Sequence, residues 1–261
     1  MGRPPPAGVL SAELLDVAEA AARAAGELLL EQFKSRDELV ISAKSTPTDL
    51  VSEADHAAER LIRGILHERV PDDGIVGEEG DDIVSRSGRR WIVDPLDGTV
   101  NFLFGNPQWC VSVACDDEVG VIYDPLRDEL FAGGEGLPTT LGGEAVVLED
   151  RTDLATALVA TGFGYDAQQR GEQGTLAASV LPRCRDLRRA GSAALDLAWT
   201  AVGRVDAFYE HGVQRWDIAA GVLLCAGAGL DVRPLRARGR LPAGVMAAPS
   251  AIADELAALV D

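Results

Sequence analysis

From about residue 11 to 33 the apolar residues Leu14, Leu15, Val17, Ala18, Ala21, Ala22, Ala25, Leu28 and Leu29 recur at helical spacing, which predicts a packed helix. Residues 46–50 read as loop. Ser52-Glu53-Ala54-Asp55 then has the form of a capping box, opening a second helix with Ala58, Leu61, Ile62, Ile65 and Leu66 inward. Short apolar runs at 74–77, 90–93, 109–115 and 119–123 predict strands, the last two flanking an Asp116-Asp117 turn. Helices against an antiparallel or mixed sheet follow for this half. From about residue 154 strand and helix alternate: strand 157–160, helix 172–181, strand 187–190, helix 192–202, strand 205–209, helix 216–226, then a final strand and helix. The pattern predicts an α/β chain in two lobes, 1–150 and 151–261, joined as one continuous unit.

Composition narrows the function classes. With 261 residues, 47% of them apolar, the chain has ample material for a core. Its formal net charge of −18, from 24 basic and 42 acidic residues, argues against a general nucleic-acid binder and makes cations the expected partners. Cys110, Cys115, Cys184 and Cys225 form no CxxC pair and no zinc spacing, so reduced thiols in a cytoplasmic protein are expected. Glu13, Asp16, Glu19, Arg23 and Glu27 punctuate the first helix, and no membrane span or export signal is expected. Arg183, Arg185, Arg188 and Arg189 read as a solvated, ion-paired face. His56, His67 and His211 lack metal spacing and read as surface or structural residues.

Residues 91–102, WIVDPLDGTVNF, carry the candidate chemistry. Proline lacks an N–H, so the strand is expected to end at Asp94-Pro95 and to release Asp94 and Asp97 on a rigid turn. Gly98 permits close backbone approach, and the N–H groups of Gly98 and Thr99 can face an anion where a helical turn starts. Mg²⁺ demands oxygen ligands at roughly 2.0–2.1 Å. Glu78, Asp94 and Asp97 supply them from two neighbouring strand ends, and Asp94 is the carboxylate placed to bridge two cations about 3.5–4 Å apart. Asp217 opens a helix in Trp216-Asp217-Ile218-Ala219-Ala220-Gly221, where a carboxylate is electrostatically favoured. Taken singly these residues have plainer readings: a solvated turn for the aspartates, a helix-start charge for Asp55, N-caps for Thr99 and Ser192, a strand-end acid for Glu210, a loop cation for Lys44.

Glu78-Glu79, the run Asp94-Pro95-Leu96-Asp97-Gly98-Thr99 with Asn101-Phe102, and the distant Trp216 to Gly221 segment together resemble the three signatures of the inositol monophosphatase family, within the lithium-sensitive, magnesium-dependent phosphatases. The similarity extends to Lys44, Asp49-Leu50-Val51 and Asp55 upstream, and to Arg188, Gly191-Ser192-Ala193 and Glu210 downstream. It implies a layered αβαβα sandwich, usually a homodimer, that hydrolyses a phosphate monoester with two to three Mg²⁺ ions. Glu78, Asp94 and the Leu96 carbonyl would hold the first ion, Asp94, Asp97 and Asp217 the second, and Glu79 a third through water. Asp55 and Thr99 would take or relay the proton of the nucleophilic water, with phosphate on the N–H groups of Gly98 and Thr99. Gly191, Ser192, Ala193 and Glu210 would line the substrate pocket, with Lys44 as a loop contact. Inositol phosphate or a related polyol phosphate is the substrate so implied. Histidinol phosphate is the nearest alternative, and a regulatory protein of RNA or transcription machinery with secondary phosphatase activity is a further one. Two departures, a short hairpin at 115–119 and a short arginine-rich segment at 230–244, spare the metal-ligand positions and bear on dimer contacts and the outer substrate wall.

Overall fold

The computed structural model describes residues 7–35, 41–43 and 50–261. Helix α1 (Ala7–Lys34) begins earlier than its apolar stripe requires, and α2 (Glu53–Arg69) opens on the expected capping box: Ser52 Oγ accepts from Ala54 N at 3.2 Å, and Asp55 Oδ2 accepts from Ser52 N at 2.8 Å. Strands β1 (Ile41–Ala43) and β2 (Leu50–Ser52) form an antiparallel ribbon, so Leu50 is strand and not loop. Lys44 and Asp49 lie outside the described residues.

A seven-stranded sheet runs in chain order through β3 (Gly74–Gly77), β4 (Arg90–Asp97), β5 (Cys110–Cys115), β6 (Val119–Asp124), β7 (Glu129–Gly134), β8 (Leu137–Leu141) and β9 (Glu144–Ala145). Only its β3–β4 pair is parallel. Strands β7 to β9 were not legible in the sequence, because Gly133-Gly134, Gly136 and Pro138 interrupt any alternation. A second sheet of five strands has the order β11 (Asp186–Arg188), β10 (Leu158–Thr161), β12 (Ala207–His211), β14 (Gly244–Ala248), β13 (Asp231–Leu235). The first three are parallel, and the last two are antiparallel to their neighbours. The remaining helices are α3 (Thr99–Leu103), α4 (Ala167–Val180), α5 (Ala193–Ala201), α6 (Arg215–Gly227) and α7 (Ser250–Val260). Helix α4 starts before the expected residue 172 because Asp166 caps it, accepting from the backbone N–H of Gln168 and Gln169.

Strand alternation divides the core. Trp91, Val93, Val111, Val113 and Val121 face α1 and α2, whereas Ile92, Ala114, Ile122 and Phe131 face the other way, onto Leu195 and Ala198 of α5 and Ala220 and Leu224 of α6. Those two helices also pack on Ala160, Phe208 and Ala247 of the second sheet. The far face of that sheet, with Val159, Tyr209 and Met246, is covered by Leu176 and Val180 of α4 and Ile252 and Leu256 of α7. The architecture is the expected αβαβα sandwich. Among the described residues no helix is long and apolar enough to cross a membrane.

Strand β4 corrects one expectation. It does not end at Pro95 but continues to Asp97, with a register shift against β5 between Asp94, opposite Ser112, and Asp97, opposite Cys110. Its parallel neighbour β3 pairs only as far as Val93, so beyond that point one edge of β4 is open and an irregular ladder tolerates the missing N–H. The bulge re-aims the acids without a turn.

Candidate active site

The open end of β4, the start of α3, the starts of α5 and α6, β12 and the loop after β10 surround one cavity of about 540 Å³. Glu78, Asp94, Leu96, Asp97, Gly98, Thr99, Gly191, Ser192, Ala193, Glu210 and Asp217 all line it. Segments remote in sequence are thus brought together. By alternation Asp94 shares the face of Ile92, toward α5 and α6, which is where Asp217 stands.

Each acid is held by local structure. Asp94 Oδ1 accepts from Leu96 N at 3.0 Å across the bulge. Asp97 Oδ2 accepts from Ser192 Oγ and from Ala194 N, both at 2.6 Å, so the start of α5 is tied to β4. Ser192 also caps α5 through Leu195 N at 3.3 Å, which makes the N-cap and cavity readings of this residue both true. Asp217 Oδ2 accepts from Gln214 N at 2.6 Å in a capping box at the start of α6. Glu78 extends the β3 ladder through its N–H to Val93 O at 3.2 Å. The buried Glu59 fixes the residues after it, accepting from Glu79 N at 2.7 Å and Gly80 N at 2.9 Å while Arg63 Nε donates to it at 2.6 Å.

Asp55 and Thr99 meet: Thr99 Oγ1 is 2.8 Å from Asp55 Oδ1 and 3.1 Å from Leu96 O. Asp55 is fully buried behind Thr99, its other oxygen serving the α2 cap. Gly98 precedes Thr99 at φ 95°, where a Cβ would stand 2.8 Å from Gln108 O, so the chain turns into α3 only with glycine. Phe102 of α3 packs against Phe33 in a tilted contact and against Trp109 edge to face, at centroid distances of 5.3 and 5.1 Å, anchoring that turn in the core. Asn101 Nδ2 donates to Gln108 O and Ala190 O, drawing residues 190–193 against α3. Glu79 does not line the cavity; its carboxylate lies 4.0 Å from His56 Nδ1. The expected role of Lys44 falls outside the described residues.

The electrostatics are those of crowded like charges. Burial, then the negative charges of Glu78, Asp97 and Asp217, push the Asp94 carboxyl well above its ordinary range. Asp217 is raised by burial and then by Asp97, with Glu78 and Glu210 adding to the shift and the Gln214 N–H opposing it. Burial raises Asp97 against its hydrogen bonds from Ser192 and Ala194. Glu210 is pushed up to about 8 by burial, Asp196 and Asp97, and Arg189 opposes the rise.

Hard oxygen donors that raise one another's pKa fit a divalent cation, whose charge relieves all of them at once. Among the described residues no three Asp, Glu, His or Cys side chains stand close enough together to form a coordination shell as they are placed.

Three residues escaped the sequence reading. Arg189 is the one cation among the described residues that line the cavity, with its guanidinium 5.9 Å from the Phe163 ring; it does not join the ion-paired surface of Arg183 with Glu255 and Arg188 with Asp186. Successive residues at the end of a strand point to opposite sides, which was the available signal. Asp196 is buried one turn into α5. Glu59 lies one turn after Asp55 on the inward face of α2 and four residues before Arg63, a legible i,i+4 pair.

A sequence model of the inositol monophosphatase family matches residues 10–261. Inositol-1-monophosphatase SuhB of Mycobacterium tuberculosis is 42% identical over 232 residues, covering 84% of this chain and 80% of that protein. A protein named Nus factor SuhB, from Pasteurella multocida, is 39% identical over 222 residues, covering 83% of each. Among solved structures, the extragenic suppressor protein SuhB of Bartonella henselae superposes with a TM-score of 0.88 at 34% identity, covering 94% of this chain and 97% of that one. With the layered sandwich, the acid-lined cavity and these matches in agreement, the chain belongs to the inositol monophosphatase family, a family of phosphoric monoester hydrolases.

Proposed function

We propose that this chain is a Mg²⁺-dependent phosphomonoesterase that releases inorganic phosphate from myo-inositol monophosphate or a related polyol phosphate. The observation that carries the reading is the convergence of Glu78, Asp94, Asp97 and Asp217 on a cavity that also contains Glu210. Glu78, Asp94 and the Leu96 carbonyl would hold one ion, and Asp94, Asp97 and Asp217 another, with Glu79 near a weaker third. When bound, such ions lower the pKa of a water and neutralise charge on the phosphoryl and departing oxygens. The chain's own groups do the rest. Gly98 and Thr99 present N–H groups to phosphate oxygens at the first turn of α3. Thr99 Oγ1, hydrogen-bonded to Asp55 Oδ1, takes the proton of the attacking water as its own proton passes to the carboxylate. Glu210 and the turn of Gly191, Ser192 and Ala193 receive the alcohol's hydroxyls. The site draws Glu210 and Asp217 from 151–261 and Glu78, Asp94 and Asp97 from 1–150, which supports one catalytic unit made by both lobes. The family resemblance supports a homodimeric, lithium-sensitive, cytoplasmic enzyme.

Kinetics with Mg²⁺ on a panel of phosphate esters test the substrate. Inositol 1-phosphate is expected to exceed histidinol phosphate by about tenfold or more in kcat/KM, since a pocket built for hydroxyl partners discriminates strongly. The reverse order would reassign the enzyme to histidinol phosphate. Thr99→Ala is expected to lower kcat by about 10²-fold, the usual scale of a proton-transfer contribution, with KM little changed. An unchanged kcat would remove Thr99 and Asp55 from the proton path. A second reading, regulation of transcription machinery, is favoured by the relative named Nus factor SuhB.

A further inference from the structure

Beyond Glu210 the cavity continues between two loops, residues 162–166 after β10 and residues 212–214 after β12. Helix α4 lies behind both and carries Gln169 and Gln173, one turn apart and so on one face. Gln173 is buried, and both ends of its amide are engaged: Oε1 accepts from Gly164 N at 2.9 Å, and Nε2 donates to His211 O at 2.8 Å. One side chain therefore fixes the separation of the two walls. His211, next to Glu210, is itself pinned, with Pro242 O 2.7 Å from Nδ1 and Val260 O 2.8 Å from Nε2.

Gln169 lies across the same two loops. A Cβ built on Gly164 would stand 2.7 Å from Gln169 Nε2, and one on Gly212, at φ 87°, would collide with the same atom. With glycine at both positions the amide lies against the backbone undisplaced, and at Gly212 the positive φ itself favours glycine. Gln169 is half-buried and lines the cavity, its backbone N–H is used by Asp166, and its side-chain amide makes no hydrogen bond to any described residue. An amide placed there with donor and acceptor both unused by the protein is suited to a ligand.

Building on the polyol-phosphate reading, we infer that Gln169 is a specificity-determining residue that hydrogen-bonds hydroxyls of the alcohol half of the substrate, and that Gln173 is the residue positioning the walls around it. An amide donates and accepts, as a hydroxyl does, so the ligand class is a compact polyol with adjacent hydroxyls. With Glu210 it reads the leaving group, leaving the phosphate to the opposite, acidic end of the cavity.

The test is steady-state kinetics of Gln169→Leu, near in volume and lacking both hydrogen-bonding groups, on inositol 1-phosphate and on p-nitrophenyl phosphate, whose leaving group carries no further hydroxyl. KM for inositol 1-phosphate is expected to rise about tenfold with kcat nearly unchanged, while p-nitrophenyl phosphate kinetics and the melting temperature stay as in the wild type. Gln169→Glu, which keeps an acceptor, is expected to recover part of the loss. Gln173→Leu is expected to raise the same KM and also to lower the melting temperature. An unmoved KM for inositol 1-phosphate in Gln169→Leu, or an equal loss on both esters, would overturn the inference alone. Wild-type hydrolysis of p-nitrophenyl phosphate but of no polyol phosphate would overturn it together with the reading beneath it.

Discussion

Asp94→Asn is expected to lower kcat/KM by about 10³-fold or more while leaving the metal-free fold at least as stable as the wild type. The two halves of that expectation have one cause. Asp94 is buried, and Glu78, Asp97 and Asp217 all act against its ionisation. Removing its charge relieves that repulsion, and the amide oxygen still accepts from Leu96 N as Asp94 Oδ1 does at 3.0 Å. A residue whose charge is unfavourable to the empty fold but central to the proposed ion pair is one retained for chemistry. Phosphate release and the melting temperature in chelator, measured on the same preparation, check both halves. A loss of activity matched by collapse of the fold would assign Asp94 a structural role. The variant also separates enzyme from regulator: a function in transcription that survives Asp94→Asn while hydrolysis is lost would show that the second role does not use the cavity's chemistry.

The layered sandwich was legible because it rests on strong local signals. The stripe of α1, the capping box at Ser52 and Asp55 and the strand runs at 74–77 and 119–123 each state their own periodicity. The proposed metal-ligand positions stand out only as a set, since Asp94, Asp97 and Asp217 individually look like turn or cap residues, and in the structure Asp217 is in fact a capping residue as well. What stayed hidden depends on tertiary placement. Pro95 reads as a strand breaker unless it is known that β3 has already ended beside β4. Arg189 reads as one of four surface arginines unless the direction of β11 is known. Gln169 and Gln173 carry no sequence signal at all: their roles follow from where α4 crosses two loops more than thirty positions apart in the chain, as in the bond from Gln173 to His211.

The same crowding predicts an unusual response to pH. In chelator the chain is expected to lose stability as pH rises from about 5 to about 8, on the order of a few kcal/mol, and a divalent cation is expected to restore it. Glu210 ionises near 4.5 in an ordinary setting but is pushed up to about 8 in the fold. A carboxyl raised on folding stabilises the fold while it is protonated in both states, and that contribution is lost as pH climbs toward the folded value. Asp94, Asp97, Asp196 and Asp217 are raised as well and act in the same sense. The acids lowered by arginine partners, such as Glu129 beside Arg204 and Asp231 beside Arg233, act in the opposite sense, but their contribution is lost only below the ordinary carboxylate range and so leaves this window untouched. Melting temperatures at pH 5 and pH 8, each with chelator and with Mg²⁺, resolve the two effects, and Glu210→Gln is expected to flatten the slope in chelator. The cation would act most where the carboxylates are ionised, so its stabilisation should be larger at pH 8 than at pH 5. A melting temperature in chelator that climbed with pH across this range would mean that burial and like charge do not together hold these acids above their ordinary range in the fold, and the case for a cation-requiring centre would lose its physical basis.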